Sequence, residues 1–437
     1  MQNNKTIAVC TLGCKVNQYD TDAVLTQFRE AGYSVVDFDQ KADVYLINTC
    51  TVTNVGDRKS RQMIRRARRI NPDGKVVVMG CLAQASPEEV IQIEGVSLVV
   101  GTHQRSELLE LVESLPDGTS EPISTVVDDI FAVDEFEELP VSTFEGRTRA
   151  TLKIQDGCNQ FCSYCRVPFA RGKPRSRRIE SVVEQAAQIA AQGYPEIVLT
   201  GVHLGAYGLD LEPKLHLSDV VEALTEVEGL TRIRISSIDP HEITPRLLEL
   251  VAAEEKVCRH LHIPLQSGCD TVLERMRRRY TTAEYRRIVE EAREQISDLA
   301  ITTDIIVGFP GETDAEFAET MQFVEEMAFS RLHVFRYSRR TGTPAARFPN
   351  QIPATVKEER SHSLISLGEK LAEQFHQAYV GKKLEVLVEQ VEGGHGVGLT
   401  DNYIRVEFAS ASDSLVGKTV QILGKKASPK GIFGRLV

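Results

Sequence analysis

Three cysteines occupy one short loop, Gly157-Cys158-Asn159-Gln160-Phe161-Cys162-Ser163-Tyr164-Cys165. A four-iron four-sulfur cube normally takes four cysteinate ligands, so a loop that supplies three leaves one iron free to chelate a small molecule. The spacing therefore predicts an iron-sulfur cluster with an open iron, which is a site for redox chemistry.

Two other interpretations of this loop are weaker. Structural zinc usually takes a fourth Cys or His and paired CxxC knuckles, and the nearest downstream histidine is His203. A disulfide needs an oxidising compartment, but the first residues lack the features of a secretion signal, and the nine cysteines are an odd number. Because no apolar run reaches the length of a bilayer span, we expect a cytoplasmic protein that does not contact membranes.

Length and charge limit the architecture and the partners. A chain of 437 residues exceeds what one hydrophobic core usually organises, so two or three domains are expected. The net charge of -11 argues at first against nucleic acid, because phosphate binding needs positive potential. The charge is unevenly distributed, however, and acidic residues gather in a segment that we interpret as an interdomain connection: Asp128, Asp129, Asp134, Glu135, Glu137, Glu138 and Glu145.

Basic residues gather in three other places. The segment from Arg58 to Arg69 predicts a helix with an apolar stripe (Met63, Ala67, Ile70) and a cationic face. The second group follows the cysteine loop and comprises Arg166, Arg171, Lys173, Arg175, Arg177 and Arg178, and the third comprises Arg275, Arg277, Arg278 and Arg279. Any one of them is as consistent with a solvated face as with ligand binding. Together with the small C-terminal module described below, the three basic groups favour an RNA partner.

The first hundred residues alternate short apolar runs with helical patterns, which predicts a parallel α/β sheet. The candidate strands are residues 6–10, 44–48, 75–79 and 97–100. Cys14, Cys50 and Cys81 fall just after three of them, and the carboxyl ends of parallel strands share one edge. We therefore expect the three thiols to meet, the alternative being three separately buried free cysteines. The core is the expected place of Cys10, Cys258 and Cys269.

A second alternation, from Arg149 to about Phe335, predicts six βα units and hence a partial barrel. The candidate strands are residues 150–154, 196–200, 232–236, 260–264, 301–307 and 331–335. Chemistry in such barrels sits on the loops after the strands. Those loops hold the cysteine trio and small residues that let a flat cofactor approach the backbone. The candidate cofactor-binding residues are Tyr164, Thr200, Gly201, Ser236, Gln266 and Gly308.

The tail changes to a period of two after a predicted helix from Lys357 to about Tyr379. Its short strands and glycine turns predict a small five-stranded barrel. The predicted domains are thus an open parallel α/β sheet (1–115), an acidic linker (116–145), a partial (β/α)6 barrel (146–378) and a small all-β barrel (379–437).

The ordered motifs resemble those of a known enzyme family. The spacing CxxxCxxC with an aromatic residue before the last cysteine is similar to the signature of the radical S-adenosylmethionine (SAM) enzymes. With GCKVNQYD (13–20), NTCTV (48–52), GCLAQ (80–84), Arg171-Gly172, Ser176-Arg177 and DIIVGFPGET (304–313), nearly the whole chain resembles the methylthiotransferases.

This resemblance implies a methylthiotransferase domain, a radical SAM barrel and a terminal RNA-binding TRAM domain. It implies two 4Fe-4S clusters, one held by Cys14, Cys50 and Cys81 and one by Cys158, Cys162 and Cys165. In the family the free iron of the barrel cluster binds SAM, with Tyr164 against the adenine and Thr200 and Gly201 at the amino group. The cluster ligands are the only side chains to which we assign a catalytic role.

The implied reaction replaces an aromatic C–H by C–S–CH3, with one SAM methylating cluster sulfur and a second SAM supplying the radical. The loop Thr200–Gly208 and the opening Gly-Cys-Lys-Val-Asn-Gln resemble members that modify C2 of N6-threonylcarbamoyladenosine at position 37 of tRNA. Alternatives are the isopentenyladenosine base, a ribosomal-protein aspartate and, from another class, a non-catalytic iron-sulfur RNA-binding protein. Expected partners are tRNA, a reductant protein and a sulfur source.

Overall fold

The computed structural model describes residues 5–51, 54–116, 124–142, 144, 146–409 and 412–437. Val52 of the second motif and Glu145 of the acidic segment lie outside the described residues. Three α/β and all-β units follow one another along the chain, which confirms the predicted fold class. Among the described helices, none combines the length and apolar character needed to cross a bilayer.

The first unit is a parallel six-stranded sheet of order β2-β1-β3-β4-β5-β6. Its strands are β1 Thr6–Thr11, β2 Ser34–Val36, β3 Val44–Thr49, β4 Lys75–Gly80, β5 Leu98–Val100 and β6 Ser124–Val126. Its helices are α1 Lys15–Glu30, α2 Asn54–Ile70, α3 Cys81–Ala85, α4 Pro87–Ile91 and α5 Leu108–Ser114. Strand β3 is buried at every residue, as expected for a parallel strand covered on both faces.

Separate hydrophobic cores cover the two faces of this sheet. Phe28 of α1 and Leu108 of α5 belong to one core, and Ile64 of α2 and Val90 of α4 belong to the other. The strand order changes direction between β1 and β3. In open α/β sheets ligands bind at such a switch point, outside the carboxyl ends of the strands. The loops after β1 and β3 carry Cys14 and Cys50 to this position.

The second unit is the predicted partial barrel. Its parallel strands are β7 Arg149–Lys153, β10 Glu196–Thr200, β11 Arg232–Ile235, β12 His260–His262, β13 Ala300–Val307 and β14 Arg331–Arg336. Its helices are α6 Val167–Arg171, α7 Ile179–Ala191, α8 Leu217–Thr225, α9 Pro245–Ala253, α10 Asp270–Met276, α11 Thr282–Gln295, α12 Asp314–Met327 and α13 Ala354–Gln377. The bridge between Ser237 and His262 joins the two three-stranded halves. These strands begin and end within two residues of the predicted limits.

The two faces of the barrel strands differ in polarity. Leu261, Ile301 and Ile305 belong to the core packed beneath the surrounding helices. Side chains alternate along a strand, and the intervening residues on the inner face are polar. Examples on β12 and β13 are His262 and Asp304, which lie 3.3 Å apart. The barrel therefore encloses a polar interior rather than the branched apolar layers that usually fill a closed barrel.

The acidic segment 116–145 does more than connect the units. Strand β6 pairs with β5 and so extends the first sheet, and Leu139 joins the barrel core. Its acidic side chains pair with the basic residues that follow the cysteine loop: Asp134 with Lys173 at 2.7 Å and Glu138 with Arg177 at 2.7 Å. The acidic segment thus forms ion pairs with basic residues of the same chain. The exact limits of the four predicted domains stay a prediction.

The third unit is a closed five-stranded barrel of order β15-β16-β17-β19-β18, as predicted. Its strands are β15 Lys383–Glu392, β16 His395–Leu399, β17 Arg405–Ala409, β18 Thr419–Ser428 and β19 Gly431–Leu436. Two arginines of β11 attach it to the partial barrel by donating to main-chain carbonyls: Arg232 to Leu399 at 3.0 Å and Arg234 to Asp401 at 2.7 Å. A short hairpin, β8 Gln155–Asp156 with β9 Arg175–Ser176, brackets the cysteine loop.

Candidate active site between two cysteine trios

The first trio comprises Cys14, Cys50 and Cys81, and the fold brings these residues together at the edge of the first sheet. Cys14 precedes helix α1, Cys50 follows β3 and Cys81 begins α3. Gly13 packs so tightly against Cys50 that a Cβ on Gly13 would lie 3.1 Å from the Cys50 sulfur. Burial raises the pKa of the Cys81 thiol, and the nearby Cys14 raises it further. The three residues form one cluster with an exposed member, Cys14, and two buried members.

Asn17 and Thr49 join the loops that carry this trio. The Asn17 amide donates to the carbonyls of Leu12 (2.8 Å) and Thr49 (2.9 Å). The Thr49 hydroxyl accepts from the main-chain N–H of Leu82 at 3.2 Å, just after Cys81. Gly80, with φ of +94°, turns the chain from β4 into α3. The position of each cysteine is therefore fixed by contacts between distant strand ends.

The second trio comprises Cys158, Cys162 and Cys165, whose sulfurs accept hydrogen bonds from the protein. Main-chain N–H groups donate to Cys158 (from Gln160, 3.5 Å) and Cys165 (from Val167, 3.4 Å). Arg278 donates to Cys162 at 3.3 Å. Burial raises the pKa of both the Cys162 and the Cys165 thiols. Thiolates in such a place need a bound cation, so the donor set fits an iron-sulfur cluster, whose sulfurs commonly accept hydrogen bonds.

Arg171 connects the two trios. It lies at the end of α6, shortly after the second trio, yet its Nε donates to the sulfur of Cys81 at 3.4 Å. Its other nitrogens donate to Asn17 at 2.6 Å and to Asp156 at 3.1 Å. The carboxylate of Asp156 accepts from the main-chain N–H of Gly157 at 2.8 Å, immediately before Cys158. One buried guanidinium thus contacts a sulfur of the first trio and the residue that supports the second.

Arg171 is part of a buried cluster of charges between the two units. Asp20 of α1 contacts Arg171 (2.8 Å), Lys153 (2.9 Å) and Arg105 (2.5 Å). Burial alone would raise the pKa of Asp156, but Lys153 and Arg171 lower it well below its usual value. Both carboxylates are therefore ionised at neutral pH. Removing one partner from such a network leaves an uncompensated buried charge, so the cluster holds the two units in one arrangement.

A cavity of about 200 Å³ opens beside the second trio, where Tyr164, Cys165, Gln266 and Asp304 line part of its wall. The Tyr164 ring meets Phe309 edge-on, with ring centroids 6.5 Å apart. Gln266 adopts a left-handed conformation with φ of +65°. Two of the six predicted cofactor-binding residues, Tyr164 and Gln266, therefore share one cavity next to the cysteines.

The other four predicted cofactor-binding residues lie elsewhere along the strand ends, and none of them lines this cavity although all are described. Thr200 ends β10, and Ser236 follows β11. A Cβ on Gly201 would lie 2.9 Å from the Gln155 side-chain oxygen, and one on Gly308 would lie 2.3 Å from Lys357. Close packing by protein thus accounts for both glycines, and a role in cofactor binding stays a prediction for all four.

His203 lies beside the second trio as part of a hydrogen-bonded group. Ligand atoms of His203, Asp239 and Glu242 lie within 4.8 Å of one another. Each is already engaged, because Glu242 contacts His203 and Asp239 contacts Arg278. Burial alone would lower the pKa of His203, but hydrogen bonds with Cys158 and Glu242 raise it to about 10. A cationic imidazole beside Cys158 suits an anionic cluster better than zinc coordination by the same histidine.

The basic segments separate into exposed and buried ones. Helix α2 borders an open groove of about 590 Å³ lined by Arg58, Arg61, Gln62, Arg65, Arg68, Arg69 and Glu94. In the second segment, by contrast, Arg171, Arg175 and Arg177 are buried. These three arginines donate to carboxylates and carbonyls of the protein, whereas Lys173 and Arg178 of the same segment are exposed, so an RNA-binding role of the segment stays a prediction.

Three family models match the chain. Residues 6–101 match the model described as uncharacterized protein family UPF0004, residues 152–324 match the radical SAM superfamily, and residues 377–437 match the TRAM domain. The matched ranges correspond to the three units of the fold and include both cysteine trios.

Relatives match over the whole length. The chain is 48% identical over 440 residues to threonylcarbamoyladenosine tRNA methylthiotransferase MtaB of Bacillus subtilis, covering 99% of this chain and 97% of that protein. The chain belongs to the radical SAM methylthiotransferase family. This methylthiotransferase is also 36% identical to tRNA-2-methylthio-N(6)-dimethylallyladenosine synthase of Pelotomaculum thermopropionicum, over 96% of this chain and 94% of that protein. Family membership identifies an enzyme, so a non-catalytic iron-sulfur protein is not supported.

A solved structure shares the fold of this methylthiotransferase. The radical S-adenosylmethionine methyltransferase TsrM of Kitasatospora setae, solved with cobalamin and a [4Fe-4S] cluster bound, superposes with a TM-score of 0.56 at 16% identity. The match covers 90% of this chain and 80% of that one.

Sequence reasoning misses the two arginines that contact sulfurs of the cysteine trios. It groups Arg171 and Arg278 with surface charges, because a run of basic residues gives no sign of which members fold inward. A usable signal is the motif GCKVNQYD itself, since Asn17 and Asp20 follow Cys14 at helical spacing and both contact Arg171.

Proposed function

We propose that this methylthiotransferase adds a methylthio group to C2 of N6-threonylcarbamoyladenosine at position 37 of tRNA, using SAM and two 4Fe-4S clusters. The printed names of its relatives support this substrate, because identity is 48% to an enzyme named for threonylcarbamoyladenosine and 36% to one named for dimethylallyladenosine.

The observation that carries the proposal is the pair of cysteine trios joined through Arg171. Each trio offers three sulfurs, so a cube bound to either has an iron that no cysteine of the trio occupies. When bound, the barrel cluster and SAM supply the carbon radical that an unactivated aromatic C–H requires, and the other cluster supplies sulfur. Arg171 and Asp156 connect the protein around both trios, so the residues that would hold the two groups are kept in one arrangement.

The chain's own residues orient the reactants. Arg278 donates to Cys162 and also contacts Asp239, which fixes the guanidinium against the sulfur. Phe309 packs behind Tyr164 and is fully buried, so this wall of the cavity excludes water. A dry wall strengthens the electrostatic contacts inside the cavity and protects reactive species from side reactions.

Helix α2 supplies a surface for the tRNA. Arg58 and Arg65 are exposed beside the open groove, on the same unit as the first trio. Phosphate contacts by such arginines position a nucleic acid without reading its sequence. The matched TRAM domain, an RNA-binding type of fold by the resemblance described, provides a second contact from the C-terminal end of the chain.

Two measurements test the proposal. Iron and sulfide analysis of the anaerobically reconstituted protein should give about eight irons per chain, whereas about four would mean one cube. Nucleoside mass spectrometry of tRNA from a deletion strain should show that 2-methylthio-N6-threonylcarbamoyladenosine disappears and returns with the gene. Loss of the methylthio-isopentenyl nucleoside instead would reassign the substrate. An unchanged tRNA pool together with an unmodified ribosomal-protein aspartate would identify that aspartate as the substrate.

The remaining partners follow from the chemistry. Radical formation consumes an electron and methylthiolation consumes a sulfur atom, so a reductant protein and a sulfur source are expected. A cytoplasmic location stays a prediction.

A further inference from the structure

Lys15 places a positive charge at the inner face of the partial barrel. It follows Cys14 directly, its side chain is exposed, and it makes no hydrogen bond or ion pair with the described residues. Its electrostatic neighbours are Tyr403 of the C-terminal barrel, Arg149 and Glu196 at the starts of β7 and β10, and Arg234 within β11. Lys15 therefore extends from the first sheet toward the interior formed by the barrel strands.

The neighbouring arginines are already neutralised, whereas Lys15 is not. The side chain of Glu196 accepts a hydrogen bond from Arg234 at 2.7 Å and lies 3.7 Å from Arg149. Arg234 also stacks over the Tyr403 ring, with its guanidinium carbon 4.8 Å from the ring centroid. Lys15 therefore offers an ammonium for which no hydrogen bond or ion pair with a carboxylate of the described residues is present. Such a group binds an anion that enters from outside.

A polar strip leads from Lys15 to the cavity beside the second trio. His333 of β14 interacts electrostatically with Lys15, and its Nδ1 lies 3.5 Å from Asp304. Asp304 in turn lines the cavity that contains Tyr164 and Gln266. The Nε2 atom of His333 is buried without a hydrogen-bond partner among the described residues, and Oδ1 of Asp304 lies between the imidazoles of His262 (3.3 Å) and His333 (3.5 Å). Unsatisfied buried polar groups are costly, so a ligand that pairs with them gains affinity.

We infer that Lys15 binds the carboxylate on the N6 side chain of the substrate base, while Asp304 and His333 bind its neutral polar groups. The inference rests on the proposed function. A threonylcarbamoyl group carries a carboxylate, a hydroxyl and ureido N–H groups, which match a cation, an acceptor and a second polar partner. An isopentenyl group carries none of these, and it would leave the ammonium and the buried Nε2 atom of His333 unpaired. The barrel interior thus selects for an acidic N6 side chain.

In this arrangement the start of helix α1 has two roles. Cys14 and Lys15 are consecutive, so the residue that binds the substrate carboxylate directly follows a cysteine of the first trio. A substrate held by Lys15 lies inside the barrel, next to the cavity bordered by Cys165. Recognition of the side chain and placement of the base between the two trios are therefore coupled.

The test compares three anticodon stem-loop RNAs that differ only at the modified base: the N6-threonylcarbamoyl acid, its methyl ester and unmodified adenosine. Binding is measured with the reconstituted full-length protein, whose iron content is checked for every variant. The wild type should bind the acid about tenfold to a hundredfold more tightly than the ester, the range for a charge-assisted hydrogen bond. Equal affinity for acid and ester would overturn the inference without any variant.

Substitutions then locate the effect. Lys15→Met should remove the preference for the acid over the ester, and Lys15→Arg should restore most of it. The matched control is Lys370→Met, which removes an exposed lysine on α13 that pairs with Glu325; it should leave the preference intact. A Lys15→Met protein with normal iron content and an undiminished acid-to-ester ratio would also reject the inference. Methylthiolation of the acid RNA by the wild type tests the proposed function separately, so either idea can fail while the other stands.

Discussion

The first cysteine trio takes its members from three strand ends that are far apart in sequence, whereas the second takes all three from one loop. Even so, each trio receives a guanidinium hydrogen bond from a distant residue, Arg171 for Cys81 and Arg278 for Cys162. The loop can therefore be recognised locally, and two of its sulfurs accept local main-chain hydrogen bonds, but the sulfur of Cys162 is held by a long-range contact. The first trio depends on tertiary structure twice, once for its geometry and once for an arginine from the neighbouring unit.

The largest effects should come from removing one ligand of each trio. Cys158→Ala should abolish methylthiolation of the RNA while the protein still retains a methyl label from SAM, because the first trio is intact. Cys14→Ala should show the reverse, with 5'-deoxyadenosine formed from SAM and no methylthio product. Labelled SAM and nucleoside mass spectrometry distinguish the two patterns. Full RNA modification by Cys158→Ala would contradict the assignment of roles.

Two glycine substitutions should separate the trios by iron content. A Cβ on Gly80 (φ +94°) would lie 2.8 Å from the Thr49 carbonyl oxygen, and one on Gly157 (φ +78°) would lie 1.8 Å from that of Lys173. Either alanine should displace the adjacent cysteine, so each variant should fall from about eight irons to about four. Electron paramagnetic resonance would show which signal remains.

The matched control for both is Gly381→Ala, where φ is +85° but no atom lies within 4 Å of the added Cβ. It bears only the backbone strain of about 1–2 kcal/mol and should keep all its iron. Iron loss in this control would mean that general destabilisation, and not displacement of a cysteine, explains the other two.

The buried charges between the units predict an intermediate effect. Arg171→Met leaves Asp20 and Asp156 less compensated, so the free energy of unfolding should fall by about 3–5 kcal/mol. Lys173→Met, two residues away, removes an exposed ion pair with Asp134 and should leave the free energy of unfolding nearly unchanged, because solvent screens exposed pairs. Urea unfolding followed by circular dichroism measures both. Similar midpoints for the two variants would show that the Arg171 network adds little stability.

The smallest effect concerns the basic helix. Replacing Arg58 and Arg65 by glutamine should reduce the slope of log affinity for tRNA against log salt by about one for each phosphate that then goes unbound. Arg246→Gln, an exposed arginine paired with Glu222 on the outside of the barrel, serves as the control and should leave the slope unchanged. An unaltered slope in the double variant would exclude α2 from the RNA-binding surface.

The fold was predictable where patterns are local. The period-two tail, the apolar runs of β3 and β4 and the spacing of Cys158, Cys162 and Cys165 each determine a structure from neighbouring residues. The edge position of Cys14, Cys50 and Cys81 also followed from the general rule for parallel sheets. The prediction of the three structural units and that of the first trio's position therefore needed only the order of the elements along the chain.

The electrostatic network was not predictable, because it depends on contacts between residues that no local pattern relates. Arg171 and Lys173 look alike in the sequence, yet one is buried against Asp20 and the other is an exposed partner of Asp134. Strand β6 was also missed, since an acidic, mixed-composition segment gives a weak strand signal and its three residues gain their place by pairing with β5. Lys15 was visible in the motif GCKVNQYD, but its position inside the barrel could not be predicted, because it depends on how the first sheet docks onto the partial barrel.

The contact between Arg171 and Cys81 also orders events during synthesis. A ribosome releases the first sheet well before residue 171, and domains generally fold from the N-terminus as they emerge. Until the following unit docks, the nascent first unit therefore lacks the contacts that Arg171 makes with Asp20 and Asn17. The hydrogen bond from Arg171 to the Cys81 sulfur is consequently completed late in the synthesis of the chain, only after the second unit has docked.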